Sequence, residues 1–292
     1  MEPESRIGGV GPSRRRPRLS DEETARRMLR TAADALARDG LKVSLEHVRL
    51  EDVIRESGVS RSSAYRRWPH KDLFLGDLLL ELAGDLAPPA TGDRTAPSVV
   101  RSVLLEQPSR LRTPVGRSAA LHDIVRAAVE RDFALIHDSP QWRTYLALTV
   151  TAVSLPSGEL KEQVRQALAT SEARFVERIA ATFRALCGLL GMRPRPPADY
   201  PAIAQISNAV MRGFVTKSLA DPDVATQRVT ADGESTSVLE LGAIAVVITY
   251  IEPEDTTDWD DARIADLLAG LDAVEDEFGT GRSDRPQRRP IS

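Results

Sequence analysis

Apolar and polar positions recur with helical spacing over the first 87 residues and predict four helices there. Residues 20–23, Ser-Asp-Glu-Glu, form a capping box, in which the serine and the last glutamate accept from backbone N–H groups that the helix leaves unpaired. Apolar residues continue every three or four positions to Leu36, and Gly40 ends the run. The next three helices cover about 50–57, 60–68 and 71–87. Because no typical capping residue precedes the second helix, Ser44 is an alternative start.

The rest of the chain keeps a helical pattern. Its predicted helices cover about 98–106, 117–137, 140–154, 158–188, 200–219 and 258–277. Residues 238–251 hold enough β-branched side chains for a strand, but no other segment offers a partner, so a buried helix is favoured. Residues 193–197, Arg-Pro-Arg-Pro-Pro, are interpreted as a stiff linker and 221–235 as a long polar loop. The predicted fold class is therefore all-α.

Composition agrees with an ordinary folded protein. Of 292 residues, 41% are hydrophobic and 28% charged, while only 4% are aromatic, so the core is built from aliphatic side chains. No apolar run approaches the roughly 20 residues that span a bilayer, and the N-terminus lacks the pattern of a secretory signal. We therefore expect a cytoplasmic protein without a membrane partner. The single cysteine, Cys187, excludes an internal disulfide and a cysteine zinc cluster, and no metal site is predicted.

Charge is distributed unevenly along the chain. Residues 1–76 hold 16 Lys and Arg against 12 Asp and Glu, whereas the remainder holds 23 against 31. This asymmetry suggests a polyanion as the partner of the first part, with chance variation of surface charge as the alternative. An arginine-rich stretch, 14–18, lies in a tail, 1–19, that is expected to be disordered. It is either an arm for a DNA minor groove or incidental charge.

Two short helices joined by Gly58-Val59-Ser60 have the sequence form of a helix-turn-helix. The latter of these two helices, residues 61–67, supplies three guanidiniums, two hydroxyls and a phenol on its outer face. Arginine forms bidentate contacts with guanine or phosphate, and Ser and Tyr hydroxyls reach phosphates. Lys71 begins the next helix, where its ammonium and the helix N-terminus together suit a phosphate.

Residues 53–73, VIRESGVSRSSAYRRWPHKDL, resemble the DNA-binding signature of TetR-type transcriptional regulators. The matching positions are Gly58, Val59, Ser60, Tyr65, Trp68 and Lys71. Two positions depart from the family pattern, since Ile54 replaces a small alanine and Ala64 replaces a leucine or isoleucine. A compensating exchange of volume would leave the packing almost unchanged. The resemblance covers about residues 20–87.

The resemblance implies a homodimeric, all-α repressor or activator with an N-terminal three-helix helix-turn-helix domain for DNA and a larger helical domain for effector binding and dimerisation. Repression is the family default, which the sequence does not distinguish from activation. It also implies roles for individual residues, some reading bases and others holding the phosphate backbone, and Trp68 is the buried aromatic that joins the third helix to the first. The residues assigned to double-stranded operator DNA are Arg61, Ser62, Ser63, Tyr65, Arg66, Arg67 and Lys71, although Tyr65 as packing and Arg66 as a solvated charge are alternatives.

The expected organisation is a tail at 1–19, a DNA-binding domain at 20–76, an effector and dimerisation domain at 77–280 and a disordered tail at 281–292, with helix 71–87 connecting the domains. Five residues are candidates for lining a pocket for an unknown small-molecule effector, and they are equally plausible as core: His122, Trp142, Tyr145, Phe175 and Phe183. The candidate dimer interface is Ile203, Ile206, Val210 and Phe214, beside small residues that allow close approach. The alternative is that this face packs inside one subunit.

The sequence thus predicts a ligand-responsive transcriptional regulator that binds a palindromic operator as a homodimer. The alternative is an all-helical enzyme, or a small-molecule-binding protein without DNA binding. Neither a nucleophile elbow nor a His-Glu-x-x-His motif is present, so no catalytic residue and no cofactor are predicted. We do not expect an enzyme.

Overall fold

The computed structural model describes residues 19–39, 45, 48–85, 96–231 and 234–280. The chain divides into two compact units, Met1–Glu81 and Leu82–Ser292. The arginine-rich tail, the helix stop at Gly40 and the C-terminal tail predicted above all lie outside the described residues.

The N-terminal unit contains the four predicted helices. They are α1, Asp21–Asp39; α2, Leu50–Ser57; α3, Arg61–Arg67; and α4, Lys71–Asp85. The Ser20 hydroxyl accepts from the Glu23 backbone N–H at 3.0 Å, but the Glu23 carboxylate pairs with Arg26, so only half of the predicted capping box is seen. The alternative start near Ser44 is wrong, because α2 begins directly after Arg49, whose side chain makes no capping bond.

A small aliphatic core with two aromatic rings holds this unit together. Its buried residues include Met28, Ala32, Leu36, Val53, Ile54, Val59, Ala64, Trp68, Phe74 and Leu78. Trp68 is fully buried, packs edge-on against Phe74 with ring centroids 5.1 Å apart, and donates from its indole N–H to Asp77 at 2.9 Å. Trp68 therefore joins the end of α3 to α4, since both partners lie on α4.

The C-terminal unit is built from seven longer helices and one 3-10 helix among its described residues. The α-helices are α5, Ala96–Glu106; α6, Pro114–His137; α7, Pro140–Ser154; α8, Glu159–Leu190; α9, Tyr200–Ser218; α10, Val238–Tyr250; and α11, Asp261–Thr280, with the 3-10 helix at Pro108–Arg112. The predicted all-α class is confirmed. None of the described helices is both long and apolar enough to cross a membrane.

Four short strands correct the sequence prediction. Strand β1, Met192–Pro194, pairs antiparallel with β4, Ile251–Pro253, and β2, Arg228–Ala231, pairs with β3, Glu234–Ser237. The expected linker at 193–197 and the loop at 221–235 thus contain strands. Three or four residues are too few to show an alternating pattern, so periodicity does not reveal such strands. The helix predicted for 238–251 is confirmed to Tyr250, after which Ile251 begins β4.

A buried arginine organises one end of the C-terminal core. The Arg117 side chain is fully buried, donates to the backbone carbonyls of Arg112 and Thr257, and lies 4.4 Å from the centroid of the Trp259 ring. Gly191 leaves room for that ring, because a Cβ there would come within 2.8 Å of it. Burial lowers the pKa of Arg117, which nonetheless stays a cation surrounded by carbonyls.

Candidate nucleic-acid interface and candidate ligand cavity

The turn between α2 and α3 has the geometry that its sequence predicts. Gly58 ends α2 in the left-handed conformation, with φ 66°, which glycine adopts without the steric penalty of other residues. The Val59 side chain is buried, and Ser60 caps α3 by accepting from the Ser63 backbone N–H at 3.1 Å. The turn therefore fixes α3 against the core and leaves the other face of α3 to solvent.

Five of the seven residues assigned to DNA are exposed on α3: Arg61, Ser62, Tyr65, Arg66 and Arg67. The first four share one side of this seven-residue helix, and Arg67 is its last residue. Together the five form a patch of cations and hydroxyls.

Ser63 does not belong to this patch. Its side chain is buried, and its hydroxyl accepts from Ser60 at 2.9 Å. The assignment of Ser63 to a DNA contact is corrected on this point, since the residue stands next to Ala64 on the inner face of α3.

Tyr65 is exposed, but its hydroxyl already has a partner. It donates to the Glu51 carboxylate of α2 at 3.0 Å. Hydrogen bonds from the Glu51 backbone N–H and from Tyr65 lower the pKa of Glu51, and nearby Arg61 lowers it further. The same hydrogen bond raises the pKa of Tyr65. A phosphate that takes the Tyr65 hydroxyl must therefore replace a carboxylate.

Carboxylates also hold two of the three arginines of α3. Arg66 pairs with Asp21 of α1, and Arg67 pairs with Asp77 of α4 at 2.9 Å. Arg61 forms no ion pair with any residue that the structure describes. Arg61 is thus the cation of α3 with the most freedom to reach a base or a phosphate, beside the exposed Ser62.

Lys71 is partly exposed and is the first residue of α4. A cation at a helix start lies beside backbone N–H groups that have no partner within the helix. Its ammonium and these N–H groups present positive potential in the same place, which is the chemistry that a phosphate requires.

The C-terminal unit holds a cavity of about 500 Å³. Its wall is mostly aliphatic and comes from α5, α6, α8, α9, α10 and α11, with a few polar residues: Arg131, Asp132, Thr182, Ser207 and Asn208. This volume lies within the usual range for small-molecule sites.

Two of the five predicted effector contacts line this cavity, Phe175 and Phe183. His122, Trp142 and Tyr145 do not, so the prediction is corrected for these three. His122 is partly buried, and this burial lowers its pKa. Trp142 is buried and its ring stacks on that of Tyr145 with centroids 5.4 Å apart.

The predicted dimer face of α9 packs inside the subunit instead. Ile203 is fully buried, Ile206 packs on the same core, and Val210 lines the cavity. Phe214 packs on a second cluster around Leu239. All four residues contact neighbouring helices of the same chain; Ile203 is fully buried, and the other three are partly exposed.

Sequence reasoning missed the polar residues of α8 and α9. Glu172, Asn208 and Arg212 form one hydrogen-bonded cluster, of which Asn208 also lines the cavity. The available signal was a polar pair spaced four residues apart, Asn208 and Arg212, within an otherwise apolar helix. Such a pair on an inner face requires partners on another helix.

Metal and thiol chemistry are not indicated by the described residues. They contain no group of three His, Cys, Asp or Glu side chains arranged to hold a metal ion. Cys187 is fully buried, and burial raises the pKa of its thiol to about 11. A thiol in such a place is uncharged at neutral pH and a poor nucleophile.

Comparisons with known proteins give structural neighbours only. No protein-family model matches the chain, and no curated protein matches it. A protein described as a TetR-family transcriptional regulator from Mesorhizobium loti is 15% identical, with a TM-score of 0.43, over 80% of this chain and 98% of its own. NalD, the secondary repressor of the MexAB-OprM multidrug efflux pump in Pseudomonas aeruginosa, is 19% identical in two crystal structures.

The first NalD structure has a TM-score of 0.34 and covers 78% of this chain and 94% of its own, and the second has a TM-score of 0.32 with 78% and 93%. Because all three TM-scores lie below 0.5, the functions of these proteins are not transferred to this chain.

Proposed function

We propose that this protein is a sequence-specific DNA-binding transcriptional regulator that responds to a small molecule and acts as a homodimer. The observation that carries the proposal is the helix-turn-helix itself. A left-handed Gly58 and a capped Ser60 hold α3 so that Arg61, Ser62 and Tyr65 lie on its exposed face. Residues at the start of such a helix are placed to reach base edges in the major groove.

Arg61 and Ser62 are proposed to read bases, while Tyr65, Arg67 and Lys71 are proposed to hold the phosphate backbone. Arg66 is a weaker candidate for a DNA contact because Asp21 already pairs with it. Arg67 is likewise paired, with Asp77, so a phosphate that binds Arg67 must replace that carboxylate. Phosphate contacts fix the register of a protein on DNA, and base contacts determine the sequence it prefers. The proposal thus divides the patch into residues that set specificity and residues that set affinity.

A single helix-turn-helix contacts only one half-site, so the proposal includes a second copy of the chain. The outward faces of α9 and α10 are suited to it. Leu241 and Ile248 of α10 are 44% and 52% exposed, and Ala209 and Gly213 of α9 are exposed small residues. Gly242 packs closely against Val210, so the two helices lie side by side. Large exposed apolar side chains beside small ones are typical of a helix-pair interface.

The cavity supports the ligand-responsive part of the proposal. Its apolar wall suits an uncharged or weakly polar organic molecule. A ligand changes DNA binding only if it prefers one of two arrangements of the dimer, so its effect on operator affinity equals its difference in affinity for those arrangements.

Fluorescence anisotropy with DNA from the region flanking the coding sequence tests the proposal. We expect binding that survives excess competitor DNA and weakens steeply as salt rises, because bound phosphates release counterions. Binding that competitor DNA abolishes would instead support the alternative, a ligand-binding protein whose N-terminal helices only pack.

Light scattering tests the second copy. Leu241→Asp combined with Ile248→Asp should convert a dimer into a folded monomer, because two charges then lie in the proposed apolar interface. The matched control is Val153→Asp on α7, a residue that is 73% exposed and outside that interface. A monomeric parent protein, or a double variant that remains a folded dimer, would contradict this interface.

A further inference from the structure

The cavity of the C-terminal unit is long in one direction. On α8 its lining extends from Phe175 to Leu189, and on α6 it extends from Ile124 to Ile136. At the rise of an α-helix these two segments are about 21 Å and about 18 Å long. The cavity therefore follows both helices for roughly 20 Å.

Ile136 and Phe175 lie at the same end of the cavity. Ile136 packs in one apolar group with Trp142. The Arg212 guanidinium carbon lies 5.3 Å from the Trp142 ring centroid and 5.1 Å from that of Phe175, so Phe175 is close to Trp142 as well. The two helices thus run antiparallel along the cavity, and we call this end the Phe175 end.

The opposite end, which we call the Ile124 end, is aliphatic. Ile124 and Leu189 meet there in the main core of the unit. The cavity wall at this end is formed by Val99, Val100, Ile124, Leu189 and Leu271. None of these side chains can form a hydrogen bond, so this end suits only an apolar group.

The polar residues of the wall gather towards the Phe175 end. Asn208 lines the cavity and donates to Glu172, one turn before Phe175 on α8. Arg131 and Asp132 line the cavity one turn before Ile136 on α6. Arg131 is exposed, so the wall reaches the protein surface here. A ligand can therefore keep a polar group in water at this end.

The cavity is narrow for its length. A volume of about 500 Å³ over roughly 20 Å gives a mean cross-section of about 25 Å², which is about 5–6 Å across. Nonbonded carbon atoms pack about 3.5–4.0 Å apart, so this width accepts one hydrocarbon chain and not two side by side. Each carbon of an extended chain advances about 1.25 Å, so the cavity length corresponds to roughly 16 carbons.

We propose that the cavity binds a molecule with one unbranched alkyl chain of about 12 to 16 carbons, with its methyl group at the Ile124 end and its polar head at the Phe175 end. Burial of each methylene against the apolar wall supplies the affinity, while the head stays beside the exposed Arg131. This inference rests on the ligand response in the proposed function, and it adds the chemical class of the ligand.

A series of straight-chain carboxylates tests the length of the site. Isothermal titration calorimetry of the full chain gives the affinity for octanoate through octadecanoate, each below the concentration at which it forms micelles. Each methylene that enters the cavity should raise the affinity about three- to fourfold. This gain should stop near hexadecanoate, because the chain then fills the cavity. A gain that ends before dodecanoate, or continues undiminished to octadecanoate, would overturn the inference.

Tridecanoate and cyclododecanecarboxylate test the width of the site. They have the same number of carbons and the same carboxylate, but the second closes its chain into a ring that is wider than the cavity. We expect the straight chain to bind at least about tenfold more tightly, because a packed wall does not widen without cost. Equal affinities would contradict a site shaped for a single chain.

Variants at the two ends test the orientation of the chain. Leu271→Trp fills the Ile124 end, so it should shorten the best chain by about two carbons or more and leave octanoate binding unchanged. Leu105→Trp is the matched control, since Leu105 is 42% exposed and outside the cavity wall, and it should change nothing. Arg131→Glu should weaken every carboxylate by the same factor, about two- to fivefold.

Circular dichroism establishes folding, and Val99→Phe, at the same end, replaces Leu271→Trp if that variant does not fold. An unchanged best chain in the folded variant, an equal shift in Leu105→Trp, or failure of every carboxylate to bind would overturn the inference. Unchanged affinities in Arg131→Glu would overturn the placement of the head.

Operator binding without any carboxylate is measured in parallel by fluorescence anisotropy. Absence of operator binding together with the expected dependence on chain length would refute the regulator and leave the ligand class. Operator binding without that dependence would refute only the ligand class.

Discussion

Arg61 and Arg212 are both helical arginines, and their surroundings show how the two units of the chain differ. Arg61 is exposed on a seven-residue helix of the N-terminal unit. Arg212 lies within a 19-residue helix of the C-terminal unit, with its side chain 17% exposed, a carboxylate partner and three rings around it. The first arginine is open to a macromolecule, whereas the second already has its partners within its own unit.

This difference determines how each unit must be built. A site on the outer surface needs a rigid support beneath it, while its exposed residues tolerate substitution. The residues essential to its fold are therefore buried ones such as Trp68 and Ala64. An inward site is made by the core itself, so the residues that bind are also the residues that pack. Mutations in the N-terminal unit should therefore affect either folding or binding, whereas mutations around the cavity should affect both together.

The largest expected effect is that of Trp68→Ala. Removing a fully buried indole, with its contact to Phe74 and its hydrogen bond to Asp77, should destabilise the N-terminal unit by about 3–5 kcal/mol. Urea denaturation followed by circular dichroism measures this loss, and DNA binding should disappear with it.

Binding of N-phenyl-1-naphthylamine, a dye that fluoresces in apolar sites, to the cavity should persist in Trp68→Ala, because the C-terminal unit has its own core. Leu73→Ala is the control, since Leu73 is 54% exposed and its truncation should change the unfolding free energy by less than about 0.5 kcal/mol. Loss of dye binding in Trp68→Ala would show that the two units do not fold independently.

Arg61→Ala should leave the fold intact and change the DNA sequence that the protein prefers. Loss of one bidentate contact costs about 1–3 kcal/mol at a single base pair, or roughly 5- to 150-fold in affinity for the preferred site. Binding-site selection should show one relaxed position in each half-site.

Arg26→Ala is the matched control for Arg61→Ala, because Arg26 is an exposed arginine of α1 that pairs with Glu23. It should return the parental motif with similar affinity. Recovery of the parental motif by Arg61→Ala as well would contradict the assignment of Arg61 to a base.

The outward site could be predicted because its determinants are local. The turn needs only Gly58, Val59 and Ser60 in sequence, and each has the expected role. Ser63 is the exception, because α3 turns its side chain inward. Helical spacing alone does not identify it, since the exposed Arg67 lies between Ser63 and Ala64 around the helix axis.

The inward site could not be predicted in the same way. Its wall combines residues from six helices, and no spacing in the sequence shows that Val99 and Leu271 line one cavity. The same limit explains the dimer face. An amphipathic pattern shows that one face of α9 is buried but not whether its partner is α8 or a second chain.

The N-terminal caps of α3 and α10 give a smaller-scale comparison of the two units. Ser60 caps α3 at the surface, whereas Ser237 caps α10 in a complete capping box with Glu240, where both side chains are buried. Ser60→Ala should cost about 1 kcal/mol and Ser237→Ala about 2 kcal/mol, because the second leaves buried polar groups unpaired.

Urea denaturation of both cap variants measures this difference, with Ser157→Ala as the control that removes an exposed hydroxyl without removing a cap. The control should change the unfolding free energy by less than about 0.5 kcal/mol. An equal or larger cost at Ser60 would contradict the idea that the inward unit depends more on its buried polar groups.

The smallest expected effect is that of Tyr65→Phe, because the hydroxyl exchanges partners rather than gaining one. In the free protein it donates to Glu51, so a phosphate contact gains only the difference between two hydrogen bonds. We expect an affinity loss of about two- to threefold on every DNA sequence, with an unchanged salt slope since no charge is removed. Glu51→Gln removes a negative charge beside the proposed phosphate contact of Tyr65 and should strengthen binding by a similar factor. In that background the hydroxyl has a weaker competing partner, so Tyr65→Phe should lower the DNA affinity about five- to tenfold.

Anisotropy titrations of the parent, the two single variants and the double variant close a double-mutant cycle. An equal loss in both backgrounds would mean that Glu51 does not compete with the phosphate, and that Tyr65 serves only to join α2 to α3.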